Sequence, residues 1–291
     1  TLAHAYQEVL SGWEINAAQI LLTLDDSESR RRYLNARNTL ETLLANGAVP
    51  VVNENDTVAT AEIRYGDNDR LAARVAQMVS ADHLLLLSDV DGLYTADPTL
   101  DPTARHVPEV AGLTDAVVAM ASGARSAHGS GGMHTKLDAA RVALAAGCEM
   151  LIASGRVQRP LQNLKDGGRA TIFVPGSTPR AARKQWIAGS LKVRGSLAVD
   201  AGALAALGQG RSLLPAGVTD VAGEFDRGDA VSVLGPTGVE VGRGLVGYPA
   251  GEARAIAGQQ SGRIAELLGY RGRDEMIHRD DLVLFAASDQ T

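Results

Sequence analysis

The sequence is poor in the features that mark membrane, disulfide-rich or nucleic-acid-binding proteins. Its 291 residues contain one cysteine, Cys148, so no intramolecular disulfide can form, which is consistent with a reducing cytoplasm. No stretch approaches the roughly 18 apolar residues of a membrane span, because the leucine run at 84–87 is only as long as one buried strand. Aromatic residues make up 4% of the chain, so no base-stacking platform is indicated. The formal net charge of −6 argues against bulk affinity for nucleic acid.

The length and the start of the chain bear on its domain organisation. At roughly 150 residues per domain, 291 residues predict two domains, each large enough to bury a core. The chain begins Thr1-Leu2-Ala3-His4, with no initiator methionine, basic n-region or apolar h-region, so we expect this start not to be a signal peptide. We expect a further segment upstream of residue 1.

Strand-like and helix-like segments alternate through the first domain. Apolar runs predict strands at 18–24, 48–52, 83–87 and 150–153. Helical apolar spacing predicts helices at 25–47, 67–80 and 133–146. Asp25 or Asp26 is expected to cap the first helix, and Gly47 to end it. This alternation indicates an α/β fold, in which helices cover a parallel sheet and ligands bind at the carboxyl ends of its strands.

The pattern changes near residues 180–190. Beyond Leu191, short apolar runs such as 231–235 and 282–286 alternate with frequent glycines. This predicts a small β-rich barrel with one helix at about 251–268. The expected organisation is an α/β domain at 1–178, a linker at 179–191 and a β-rich domain at 192–291.

Two polar clusters bracket the loop after the strand predicted at 48–52. Asn53 and Asp56 follow this strand, and Asp67, Asn68 and Asp69 open the next predicted helix. Asp and Asn are common in turns and at helix N-termini for structural reasons alone. If the clusters meet in space, their carboxylates would accept from an ammonium group and their amides would donate to a carboxylate. That arrangement suits a small zwitterionic ligand.

A glycine-rich loop leads into the helix predicted at 133–146. It comprises Ser130, Gly131, Gly132, Met133, His134, Thr135 and Lys136. Glycines let backbone N–H groups approach phosphate oxygens, the helix dipole favours negative charge, and Lys136 adds a positive charge. The order differs from a Walker A motif, because Thr135 precedes Lys136. A purely structural turn is an equal alternative.

A third cluster, Ser88 and Asp89, ends the strand predicted at 83–87. A parallel sheet presents ligands at this edge, so both residues are candidates for a nucleotide site. The alternative is a tight turn at the following Asp91-Gly92.

Other reactive side chains give no comparable signal. Four histidines have no cysteine or histidine neighbour at metal-ligand spacing, so we predict no metal site; they are His4, His83, His106 and His278. Cys148 is expected to be a small buried side chain, and Trp13 and Trp186 are expected to be packing residues.

Several segments occur in an order and spacing typical of one family. In the first domain they are NENDTVAT (53–60), EIRYGDND (62–69), LLLSDVDGLY (85–94) and SGGMHTK (130–136). In the second they are SLLPAG (212–217), GEFDRGD (223–229) and VGRG (241–244). The first set resembles the glutamate 5-kinases of the amino-acid kinase family, and the second resembles the PUA domain that bacterial members carry.

The resemblance implies an enzyme of defined chemistry. It would transfer the γ-phosphoryl group of ATP, used as MgATP, to the side-chain carboxylate of L-glutamate. The product would be L-glutamyl 5-phosphate, made in the cytoplasm as the first step of proline biosynthesis. No general base is needed, because the attacking carboxylate is already ionised at pH 7.

The resemblance also implies roles for the three clusters. Asp56 and Asn68 would bind glutamate, in a site that includes Asn53, Asp67 and Asp69. Ser88 and Asp89 would line the nucleotide pocket. The loop at 130–136 would hold the ATP phosphates, and Lys136 would neutralise charge in the transition state.

The chain departs from the family at its start. Members open with a strand, a lysine and a Gly-Ser/Thr-rich phosphate loop, then a strand ending in Ser-Gly-Ala-Ile, and none of these precedes residue 1 here. The resemblance therefore implies an N-terminally incomplete kinase, and whether such a chain is active stays open. Homo-oligomers and feedback inhibition by proline are further expectations carried over from the family.

Two other functions also stay open at this stage. A kinase for another acid, such as aspartate or N-acetylglutamate, would share the glycine loop but not the pairing of NEND (53–56) with GDND (66–69). An RNA-binding protein would use the PUA-like domain. Against it, residues 191–291 carry 10 basic and 13 acidic side chains, a net charge of −3.

Overall fold

The computed structural model describes residues 2–55, 57, 68–121, 132–189 and 192–285. The chain divides into two compact units, Thr1–Pro179 and Arg180–Thr291. Each unit has hydrophobic clusters of its own. None of the described helices is long and apolar enough to cross a membrane.

The first unit alternates strands and helices, as expected. Its described strands are β1 (Ala17–Leu22), β2 (Val49–Glu54), β3 (His83–Ser88), β4 (Leu93–Tyr94), β5 (His106–Val107), β6 (Glu109–Val110), β7 (Glu149–Ser154) and β8 (Ala170–Phe173). Its described helices are α1 (Leu2–Ser11), α2 (Leu24–Glu28), α3 (Arg30–Ala45), α4 (Asn68–Val79), α5 (Asp115–Met120), α6 (Met133–Ala145) and α7 (Pro160–Lys165).

The strands of this unit form three sheets. β1 and β2 are a parallel pair, β4 and β5 are an antiparallel pair, and the largest sheet has the order β3-β7-β8-β6. β3 and β7 run parallel with Ser88 opposite Ser154, so their carboxyl ends lie at one edge. The expected parallel arrangement is present between β3 and β7, whereas β8 runs antiparallel to β7. The connecting helix α7 has six residues and rises only about 9 Å, too little to return the chain along β7 as a crossover helix does.

The packing of α4 against α6 positions the candidate site. Ala73 and Ala76 on α4, and Ala139, Ala140 and Ala143 on α6, are buried within one hydrophobic cluster. Small side chains let two helices approach closely, because little volume separates their backbones. Residues in the first turns of the two helices, which lie more than 60 positions apart in sequence, are thereby brought together.

The helix expected at 25–47 is two helices in the structure. The chain is extended at Ser29 (φ −74°, ψ 116°), which separates α2 from α3. The N-cap is Thr23, whose backbone N–H and hydroxyl both donate to Asp26 Oδ2 at 2.7 Å. Asp26 therefore stabilises this N-terminus from inside the first turn, as in a capping box. Gly47 follows α3 with φ +71°, the left-handed conformation expected there.

The second unit is built on one five-stranded sheet. Its strands are β9 (Val193–Val199), β10 (Val218–Gly223), β11 (Ala230–Leu234), β12 (Glu240–Leu245) and β13 (Leu282–Leu284), in the order β10-β9-β11-β12-β13. Its helices are α8 (Pro179–Gly189), α9 (Ala201–Gly208), α10 (Ala250–Ile256) and α11 (Ile264–Leu268). Tyr248, Leu197 and Val231 are among the side chains buried in its core.

Two expectations for this region need correction. The single helix expected at 251–268 is α10 and α11, separated by a 3-10 turn at Ser261–Arg263. The segment expected as a linker at 179–191 is mostly the helix α8, whose Ile187 is buried against Ala230 and Leu245 of the sheet. The domain limits 1–178 and 192–291 stay predictions.

The tryptophans are not buried, contrary to expectation. Trp13 is 77% exposed and Trp186 is 42% exposed. Cys148, in contrast, has no exposed surface, as expected for a small apolar side chain.

Cys148 should be almost unreactive while the chain is folded. Burial, with the nearby Asp82 and Glu149 carboxylates, raises the pKa of its thiol to about 11. We expect the native protein to react with an aromatic disulfide at pH 8 about two orders of magnitude more slowly than the denatured protein, because only the thiolate attacks and an unperturbed thiol has a pKa near 8.5. The time course of absorbance in denaturant gives the reference rate, and its end point gives the total thiol. Equal rates in the two states would contradict a buried Cys148.

Candidate active site

Lys136 lies in the first turn of α6, on an element that the sequence pattern predicted. Gly132 is the N-cap of this helix, and the Lys136 side chain is only 11% exposed. Its Nζ donates to Asp69 Oδ2 at 2.9 Å. An ammonium group carries three N–H donors. In the described part of the chain one of them is engaged in this way, and the others are available to a ligand.

Asp69 joins two clusters that the sequence analysis treated separately. It sits in the first turn of α4, where its Oδ2 is 3.1 Å from Thr135 Oγ1 as well as bonded to Lys136. Thr135 Oγ1 also lies 2.8 Å from the carbonyl oxygen of Gly132. The carboxylate of Asp69 thus contacts the side chains of both Thr135 and Lys136.

A pocket of about 780 Å³ opens beside Lys136 at the carboxyl edge of β3 and β7. Its volume falls within the usual range of small-molecule sites. Four of the predicted nucleotide-binding residues line it: Asp89, Gly132, Met133 and Lys136. Ser154, the last residue of β7, lines the same pocket. The pocket therefore lies at the edge of the sheet where α/β proteins commonly bind ligands.

Ser88 and Asp89 form a small polar pair at the end of β3. The Ser88 hydroxyl donates to Asp89 Oδ1 at 3.0 Å. Asp89 Oδ2 is 3.8 Å from Arg156 Nη2, in an exposed ion pair. Both carboxylate oxygens therefore already face donors, and Asp89 is oriented at the rim of the pocket.

The structure adds three pocket residues that the sequence analysis did not single out as candidates. Asp91, Tyr94 and Arg169 line the pocket and are bonded to one another. The Tyr94 hydroxyl donates to Asp91 Oδ1 at 3.0 Å, and Arg169 Nη1 donates to the Tyr94 hydroxyl at 3.0 Å. The hydrogen bond that Arg169 donates to the Tyr94 hydroxyl, together with the nearby charge of Asp91, raises the pKa of Arg169. No local motif signals this group, because Arg169 lies 75 residues from Tyr94.

The remaining candidates are placed less centrally or lie outside the described residues. Asn53 is exposed and lies within β2 rather than in the loop after it. Asn68 is the exposed first residue of α4, and His134 is exposed in the first turn of α6. The candidates Asp56, Asp67, Ser130 and Gly131 fall outside the described residues. Among the residues that the structure describes, no group of three or more His, Cys, Asp or Glu could hold a metal ion.

Comparisons with known families agree with this fold. Residues 1–154 match the model of the Amino acid kinase family, and residues 195–268 match that of the PUA domain. The first match includes the pocket residues from Asp89 to Ser154. The chain is therefore an amino acid kinase domain followed by a PUA domain.

Comparisons with individual proteins over nearly the whole of this chain identify the family within the amino acid kinases. A glutamate 5-kinase of Paramagnetospirillum magneticum is 65% identical over 283 residues, covering 97% of this chain and 76% of that protein. A glutamate 5-kinase of Rhodospirillum rubrum is 61% identical, with the same coverage of 97% and 76%. One of Rhizobium rhizogenes is 59% identical, covering 99% of this chain and 74% of that protein. The chain belongs to the glutamate 5-kinase family.

Proposed function

We propose that this protein is a kinase that transfers the γ-phosphoryl group of ATP to the side-chain carboxylate of L-glutamate. The product is L-glutamyl 5-phosphate, and the reaction is the first step of proline biosynthesis. The observation that carries the proposal is the position of Lys136, held by Asp69 at a helix N-terminus beside the pocket, in a chain 65% identical to a glutamate 5-kinase.

The chemistry requires positioning and charge stabilisation rather than a base. The glutamate side chain is ionised at pH 7, since its pKa is about 4.3. One of its oxygens attacks the γ-phosphorus, the bond from that phosphorus to the β–γ bridging oxygen breaks, and ADP leaves. Negative charge spreads over the γ-phosphoryl oxygens during transfer, so fixed positive groups near them lower the barrier.

The phosphate end of the site is assigned to the glycine loop and α6. Ser130, Gly131, Gly132, Met133, His134 and Thr135 would supply the loop and the first-turn N–H groups that face the phosphates. Lys136 is assigned to the γ-phosphoryl oxygens. Support comes from its low exposure and from the N-terminus of the 13-residue α6, which adds partial positive charge at the same place. Ser88 and Asp89 are assigned to the nucleotide side of the pocket.

The glutamate end is assigned to Asp56 and Asn68, with Asn53, Asp67 and Asp69 in the same site. Support for this placement is that Asn68 immediately precedes Asp69, whose carboxylate contacts Lys136. A glutamate carboxylate that approaches Lys136 would therefore meet the N-terminus of α4. Asp69 also positions the ammonium group of Lys136, so we expect it to act on both substrates.

Further features are proposed on the same basis. Mg²⁺ enters bound to ATP, where it offsets charge on the β- and γ-phosphates. The enzyme works in the cytoplasm, where ATP is plentiful, and it is a homo-oligomer inhibited by proline. The kinase domain spans residues 1–178 and the PUA domain residues 192–291, and the helix α8 (Pro179–Gly189) lies between them in the sequence.

A coupled assay of ADP release tests the substrate assignment. We expect kcat/KM for L-glutamate to exceed that for L-aspartate and for N-acetyl-L-glutamate by at least about 100-fold, because a free ammonium group and one particular chain length must both fit a preformed polar site. Each acid is compared at saturating MgATP, with a reaction lacking the acid as the blank. A preference for aspartate or N-acetylglutamate would overturn the proposal.

A further inference from the structure

The pocket contains a second cation besides Lys136, and it is also held by a carboxylate. Arg169 Nη1 donates to the Tyr94 hydroxyl at 3.0 Å and lies 3.4 Å from Asp91 Oδ2. The hydrogen-bonded group of Asp91, Tyr94 and Arg169 (the Arg169 triad below) lies on the pocket wall. The proposed phosphoryl transfer assigns no role to these three residues.

Most donors of the Arg169 guanidinium are unused by the protein. A guanidinium carries five N–H groups in a rigid fork. In the described ranges of the chain, the hydrogen bonds of Arg169 all involve Nη1, and its side chain is 58% exposed. Nε and Nη2 therefore stay available to acceptor atoms of a bound ligand.

The Arg169 triad rests on a rigid support. The backbone N–H of Leu93 donates at 2.7 Å to Thr171 Oγ1, which is fully buried and ties β4 to β8. The Tyr94 ring meets His106 edge to face, with centroids 5.4 Å apart. Gly92 lets these groups approach, since a Cβ there would lie 2.5 Å from His106 Nε2. The Tyr94 hydroxyl thus has a fixed position from which to orient Arg169.

Charge separates the two ends of the pocket. At the Lys136 end, the N-terminus of α6 adds positive character to the Lys136–Asp69 pair, which suits phosphate groups. The Arg169–Asp91 ion pair is neutral overall. None of the residues Asp91, Tyr94 and Arg169 lies in the first turn of a helix. Burial lowers the pKa of the neighbouring His106, which disfavours a further positive charge at this end. A neutral group with free donors and a carboxylate suits a polar uncharged ligand part better than an anion.

We propose that the Arg169 triad binds the nucleoside part of the nucleotide and sets the preference for its base and ribose. The inference rests on the proposed function, because it takes the pocket to be the ATP site. Arg169 Nε and Nη2 donate to acceptor atoms of the nucleoside, Asp91 holds the guanidinium through Nη1, and Tyr94 is a positioning residue between them.

Equilibrium binding of ATP and adenosine to the full chain tests this assignment. We expect Arg169→Gln to weaken both ligands by the same factor of about 10 or more, the usual loss when a charged hydrogen-bond donor is removed. Tyr94→Phe keeps the ring packed on His106 and should weaken both by about threefold to tenfold. Arg141→Gln, which removes an exposed charge from the surface of α6, is the matched control and should change neither.

The two ligands separate the alternatives. If Arg169→Gln weakens the binding of ATP but not of adenosine, Arg169 contacts a phosphate group. If the binding of both ligands is unchanged, Arg169 contacts neither the phosphates nor the nucleoside. Either result overturns the inference. Steady-state kinetics give a second readout, in which Arg169→Gln raises the KM for ATP and leaves kcat and the KM for glutamate within about twofold. If the wild type shows no glutamate-dependent turnover, the proposed function is refuted. This inference still stands in that case, provided that Arg169→Gln weakens the binding of adenosine.

Discussion

Lys136→Ala is expected to lower kcat by about 100- to 1,000-fold and to change the KM for glutamate by less than about threefold. Removal of one preorganised donor to a developing oxyanion has effects of this size in other enzymes. The charge on the γ-phosphoryl oxygens develops mainly in the transition state, so the loss should fall on kcat rather than on ground-state binding. The measurement is ADP release at saturating MgATP with glutamate varied.

Two further variants show whether the effect comes from the charge. Lys136→Met keeps most of the buried stem, so it should reproduce the fall in kcat if the ammonium group is responsible. Lys192→Ala removes an exposed lysine of the second unit and should leave kcat unchanged. Thr135 continues to face Asp69 in each Lys136 variant, which limits the disturbance at the helix ends. A kcat within twofold of wild type for both Lys136 variants would exclude the assigned role.

Elements with strong local signals could be predicted from the sequence. The apolar run that forms β3 and the alanine-rich segment that forms α6 have unambiguous patterns, and their observed limits differ from the predicted ones by one residue. Gly147 ends α6 with φ +75°, and a Cβ there would lie 2.5 Å from Thr178. Two independent reasons, conformation and close approach, therefore require glycine at this position.

The contacts that assemble the site could not be predicted in the same way. The pair Lys136–Asp69 depends on how α4 packs against α6, and the sequence pattern at Asp69 indicated an N-cap as readily as a ligand. The Arg169 triad depends on β8 running antiparallel to β7, which places Arg169 at the edge where β3 ends. No local sequence motif contains both partners of either contact, because the partners are separated by 67 and 75 positions.

A buried ion pair in the second unit gives the largest expected effect on stability. Arg183 of α8 donates from Nε to Asp281 Oδ1 at 3.0 Å, and Nη2 donates to the same oxygen. The two side chains are only 10% and 6% exposed. Arg183 precedes and Asp281 follows residues 195–268, which match the PUA domain. The pair therefore ties together two segments that flank the matched region, and we expect the folded unit to need both.

Arg183→Met is expected to reduce the free energy of unfolding of this unit by about 3–5 kcal/mol, since it leaves the Asp281 carboxylate buried without its cation. Urea unfolding, followed by Trp186 fluorescence in a Trp13→Phe background, measures the free energy of unfolding of this unit. Trp186 is then the only tryptophan in the sequence, and it lies on α8. Arg263→Met breaks the exposed pair Arg263–Glu266 in the same unit and should change stability by less than about 1 kcal/mol. The double variant Arg183→Met with Asp281→Asn should lose less than the sum of the two single losses, because neither charge is then left alone. Strictly additive losses would show that the two side chains stabilise the unit independently, and that α8 is joined to it by packing alone.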